Sequence, residues 1–252
     1  MAPLRKGKKL PFCCRLPYGA QPLLTEGVPL QINEGYLEEA KTEDGVTRHS
    51  FLVAIAKDRL VELFDALVAE LGDNVYAILE LPPEDESEHP EPAEGREGPV
   101  DVYLSAEFER AELLSGLAPY KLQLLLDGMI GFGTAATIHR GPPARVREVF
   151  VDEHKLLRIH DEKREPWRAV LKKFGLEKVD ELHTVDLFPH VHQALDQFPE
   201  NELPESLRRA PLNELVWEEY VGNLLESLQF EKQSPAGEDA PIEGHPVHET
   251  LH

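Results

Sequence analysis

Apolar residues are unevenly spaced along this chain, and their spacing divides it into elements. Residues 51–56 form a continuous apolar run, the mark of a strand covered on both faces. Leu60, Val61, Leu63, Phe64, Leu67, Val68 and Leu71 then recur at helical spacing, with Glu62, Asp65 and Glu70 among the polar positions. Gly72 follows as a C-terminal cap should. Residues 75–81 read as a second strand, stopped by Pro82 and Pro83. If the two strands share a sheet and the helix crosses over, they run parallel; an antiparallel placement is the alternative.

Further along, residues 100–104 read as a short strand, and Ser105 is placed to cap a helix reaching about Ser115, ended by Gly116. Two apolar stretches, 121–126 and 129–138, flank Asp127-Gly128, which predicts a hairpin. Strands are expected at 146–151 and 155–160. Pro166 suits a first helical turn, after which Trp167, Val170, Leu171 and Phe174 share a face until Gly175. His183, Val185 and Leu187 alternate as a strand would, and Asn213 can cap a last helix carrying Val216, Tyr220, Val221, Leu224, Leu225 and Leu228. The pattern predicts an α+β fold: a mixed or antiparallel sheet with β-hairpins, packed by three to four helices.

Charge changes this picture at its margins. The chain holds 47 Asp and Glu against 26 Lys and Arg, a formal net of −21. Residues 82–98, rich in Pro and Glu, have nothing to bury and read as an acidic loop. Residues 1–10 read as a flexible basic start, 11–230 as one domain that the loop could split into two subdomains, and 231–252 as a disordered acidic tail. The body between them remains strongly acidic. Such a surface repels nucleic acid and anionic lipid and attracts basic partners or cations. No apolar run approaches the ~18 residues of a membrane span, and no apolar core follows the basic start as in a signal peptide. Adjacent Cys13 and Cys14 are unsuited to a structural bridge, so a cytoplasmic setting is expected.

Candidate chemistry is sparse. His190 and His192 are two apart, so on an extended backbone both imidazoles project to one side, as two ligands of one zinc ion would. His183 and Asp186 lie just upstream, and Asp152, His154, His160 and Asp161 could approach from neighbouring strands. The metal candidates are therefore His183, His190 and His192, with zinc or manganese as the ion; solvated histidines in a turn at Pro189 are the plainer alternative. Gly131, Gly133 and Ala135 fall on one face of a strand and leave a strip free of side chains. That strip admits either a ligand, at Gly131 and Gly133, or a packed neighbour. No serine sits in Gly-x-Ser-x-Gly, and 47 acids make carboxylate pairs uninformative, so no catalytic residue is assigned.

These readings converge on a non-enzymatic protein without cofactor that binds a basic protein through its acidic surface, as an immunity-type inhibitor or an acidic decoy would. Metal-dependent hydrolysis by the His/Asp cluster and small-ligand binding are the rival expectations.

Overall fold

The computed structural model describes residues 19–23, 32–83, 100–139, 145–195 and 217–233. The basic start, the two cysteines, the acidic loop beyond Pro83, Asn213 and the tail beyond Gln233 lie outside these residues.

The elements follow in chain order. Strand β1 (Ala20–Pro22) precedes the hairpin β2 (Gly35–Glu43) and β3 (Val46–Ala54), then helix α1 (Lys57–Val68) and strand β4 (Asn74–Leu81). Next come β5 (Asp101–Leu104), β6 (Phe108–Glu109), α2 (Arg110–Leu117) and α3 (Lys121–Leu126). A meander β7 (Gly131–His139), β8 (Arg145–Val151) and β9 (Leu157–Asp161) leads to α4 (Glu165–Lys173). A 3-10 turn (Val185–Leu187), β10 (His190–His192), α5 (Trp217–Ser227) and β11 (Glu231–Lys232) complete the series.

The main sheet runs in the order β11-β5-β4-β7-β8-β9-β3-β2, with β6 also on β4. Every neighbouring pair is antiparallel. The fold is accordingly mixed α and β with a mostly antiparallel sheet. Four antiparallel steps separate β4 from β3, so these two strands run parallel while β7, β8 and β9 stand between them. Helix α1 crosses over the whole meander. Its stripe of Leu60, Leu63, Phe64, Leu67 and Val68 is buried, and each such side chain contributes roughly 1.5–3 kcal/mol on leaving water.

Strand alternation gives the sheet two unlike faces. Phe51, Val53, Val75, Ala77, Leu79, Phe132, Val149, Val151, Leu157 and Ile159 join the helices in the main core. Trp167 anchors α4 there, wholly buried, its indole N–H donating to Asp161 Oδ2 at 2.9 Å. The other face carries the small cluster of Ile78, Ala135 and Phe150 together with Glu80, Glu148 and Arg158.

Five expectations are corrected: five helices occur among the described residues where three to four were expected, and Val185–Leu187 is a 3-10 turn where His183, Val185 and Leu187 suggested a strand. Residues 121–126 form helix α3, not the first arm of a hairpin: the run is leucine-rich with no β-branched residue, and Leu124, Leu125 and Leu126 are all buried. Ser105 caps no helix; its Oγ accepts from Ala77 N at 2.8 Å and so turns back onto the sheet. Glu231 and Lys232, expected to begin the tail, form a short strand paired with β5 on the side away from β4.

Candidate metal centre

A tight turn between β8 and β9 places the first component. Asp152 organises it: Oδ1 accepts from Leu156 N at 2.9 Å, while Oδ2 takes Arg158 Nε at 3.2 Å and the same guanidinium at 3.1 Å. Lys155 occupies the left-handed region with φ of 63° and sends its ammonium inward to Ile130 O at 2.7 Å. Burial pushes that lysine down to about 8, against the pull of Asp127, Asp152 and Glu153. Between these two anchored residues, His154 is 4% exposed and faces β10.

The second component is β10 itself. It pairs with β1 in a separate two-stranded sheet, Ala20 opposite His192 and Pro22 opposite His190. Strand alternation sends both imidazoles to one side. His190 Nδ1 lies 2.8 Å from Phe188 O, and His192 Nδ1 lies 3.0 Å from Gly128 O. Gly128 is fixed in turn by its neighbour Asp127, whose buried carboxylate accepts from Met129 N at 2.8 Å and Leu195 N at 2.9 Å.

These contacts set the tautomers. A carbonyl oxygen only accepts, so Nδ1 of His190 and of His192 carries the proton and Nε2 of each neutral ring presents a lone pair. His154 has its Nδ1 3.6 Å from Glu153 Oε1, an arrangement that favours the same tautomer. The three Nε2 atoms then converge: His154 to His190 at 3.0 Å and His190 to His192 at 3.3 Å, with ring centroids 4.8, 4.9 and 5.0 Å apart. A tetrahedral zinc ion, ~2.0–2.1 Å from each imidazole nitrogen, requires nitrogens about 3.3–3.4 Å apart. Burial, and next the neighbouring His154, hold His192 below the usual histidine range, which favours the neutral ligand form.

His190 and His192 thus meet as their spacing suggests, and their third partner is His154. His183 lies outside the group: its Nε2 is 3.4 Å from Glu181 and its backbone N–H donates to Asn33 Oδ1 at 2.7 Å. His160 bonds Ser50 Oγ at 3.0 Å, Asp161 holds Trp167, and Asp186 is exposed. A second candidate group, Asp152, Glu153 and His154, shares the same turn. What could have singled out His154 is its place in a short Asp-Glu-His-Lys link between two strands. The left-handed Lys155 that aims the link is not readable from residue type.

Gly131 and Gly133 lie on the sheet face away from the helices. A Cβ on Gly133 would meet Phe150 Cδ2 at 2.5 Å and Val149 O at 2.8 Å; one on Gly131 would meet Phe150 Cζ and Glu80 Oε2, each at 2.8 Å. The strip is occupied by the Phe150 ring and the Glu80 side chain. A cleft lined by Asn33, Glu34, Ala56, His154, Lys155 and Thr184, among others, adjoins the histidine group instead.

Among the described residues no helix is long and apolar enough to cross a membrane. Compared with family models, curated proteins and solved structures, the chain matches none of them.

Proposed function

We propose that His154, His190 and His192 bind a divalent transition-metal ion, zinc by preference, and that the chain is a metal-dependent hydrolase. The observation that carries this reading is the arrangement of the rings: Nδ1 of His190 and of His192 lies on a backbone carbonyl, Nδ1 of His154 lies 3.6 Å from Glu153, and Nε2 of His190 is 3.0 Å and 3.3 Å from Nε2 of His154 and His192. Metal-ligating histidines are held in this way, the outer nitrogen fixing both tautomer and ring plane. Three neutral nitrogens suit zinc, and three protein ligands leave a fourth position for water. Zinc bound there supplies a Lewis acid and a water with a pKa near neutrality.

The residues around the ligands have definable roles. Glu153 orients His154, and the Gly128 carbonyl orients His192. Asp152 and Lys155 fix the turn, so that the His154 ring is held on a rigid hairpin. The adjoining cleft, with Glu34, Asn33 and Thr184 on its wall, is small, with room for water beside His154.

Metal analysis of untagged protein after incubation with zinc or manganese tests the reading. One ion per chain is expected, lost in a variant carrying both His190→Ala and His192→Ala and retained in His183→Ala. Absence of bound metal in the wild-type protein, or equal content in the double variant, rejects it.

A further inference from the structure

We infer that the metal acts as a clasp, fastening the β1–β10 strap to the main sheet, so that the strap is ordered when the ion is bound and loosened when it is removed. This rests on the metal-binding reading above. The argument begins with the size of the strap. β1 and β10 contribute three residues each, form their own two-stranded sheet and share no strand pairing with the main sheet. A two-stranded sheet of that length is at best marginal in water.

Its attachments to the body centre on the Asp127-Gly128 corner, where Gly19 packs against Gly128, and on the Leu195 side chain in the main core. Gly128 N donates to Gln193 O at 3.3 Å, His192 bonds Gly128 O, and Leu195 N bonds Asp127. Within the strap, Gln193 N donates to Gly19 O at 2.9 Å and Leu23 N to Pro189 O at 2.6 Å. The ligands divide between these parts. His154 belongs to the β8–β9 turn of the main sheet, whereas His190 and His192 belong to the strap, so a shared ion fastens the strap to the main sheet at a second place beside the Asp127-Gly128 corner.

Without the ion the junction works against itself. His190 and His192 point lone pairs at one another across 3.3 Å with both Nδ1 protons committed elsewhere. A metal removes that conflict and adds its binding free energy to the closed arrangement, since ligands contributed by separate segments couple binding to folding.

Hydrogen–deuterium exchange on the full chain, with zinc and after chelation, reads the clasp directly, and chelator competition reads zinc affinity in parallel. Zinc is expected to slow exchange about tenfold or more in peptides covering 19–23 and 185–195, with β7 and β8 unchanged. In His154→Ala the strap should exchange at the metal-free rate whether or not zinc is present. Reversal on chelating and reloading the wild-type protein gives the same answer without a variant. Stoichiometric zinc binding with unaltered strap exchange overturns the clasp and leaves the metal site standing. Failure of zinc to bind removes both.

Discussion

Single residues decide two features of this molecule. Gly133 has no room for a side chain because Phe150 lies across it, and neither Phe150 nor the Val149 carbonyl can retreat within a paired strand. Gly133→Ala should therefore cost about 1–3 kcal/mol by overpacking, read as a lower urea midpoint with zinc content unaltered. A loss of ligand-dependent behaviour without loss of stability would point to a binding role for the strip instead. The histidines show how far single residues could be read in advance. Spacing alone linked His190 to His192, since a two-residue interval on extended backbone is a geometric statement. Selecting His154 over His183 needed the turn that brings β8 back along β9, and turn geometry depends on Lys155 entering a region that lysine seldom occupies. Sequence nearness favoured His183; the chain path favoured His154.

At the level of elements, the strap and the Asp127-Gly128 corner form one unit. Gly19 crosses Gly128 so closely that a Cβ on either would overlap the other's backbone. Gly19→Ala must push the two segments apart, and because Gly128 O holds His192, the effect reaches the metal ligands. Zinc affinity should fall about tenfold or more, measured by chelator competition, although no ligand is altered; unchanged affinity would show that the crossing does not position His192. Elements that bury a regular stripe were the legible ones. Helix α1 and strand β4 stand close to their expected bounds because one face of each is apolar throughout. Helix α3 was misjudged because Leu122 and Leu124 alternate with Lys121 and Gln123 over too few residues for period 2 and period 3.6 to be told apart.

Across the whole molecule, the acidic excess is partly turned inward. Asp101, Asp127, Glu148, Asp152 and Asp161 are buried. Burial raises Glu148 to about 7 despite Arg158, and burial with Glu153, Glu148 and Asp152 nearby raises Glu80 to about 8. Formal charge therefore overstates the field outside, and the proposal of a basic protein partner must rest on the exposed acids alone. The same carboxyls predict how stability responds to pH. Unfolded, each ionises near 4.5; folded, each keeps its proton well above that value. Their contribution is complete below the unfolded value and is lost as pH rises through about 7 and 8, so denaturant midpoints should decline across that interval. Glu148→Gln, which stays neutral, should flatten the decline and gain on the order of 3 kcal/mol over the wild type near the alkaline end; an equally steep decline in the variant would refute this. The sheet order carries one more consequence. Because β3 and β4 flank a meander built from residues 131–161, one edge of β3 and one edge of β4 leave the ribosome before β9 and β7, which will pair with them, exist. The early half must wait, its β3 and β4 edges open, until the later half inserts between them, a vulnerable interval in which a chaperone has most to offer.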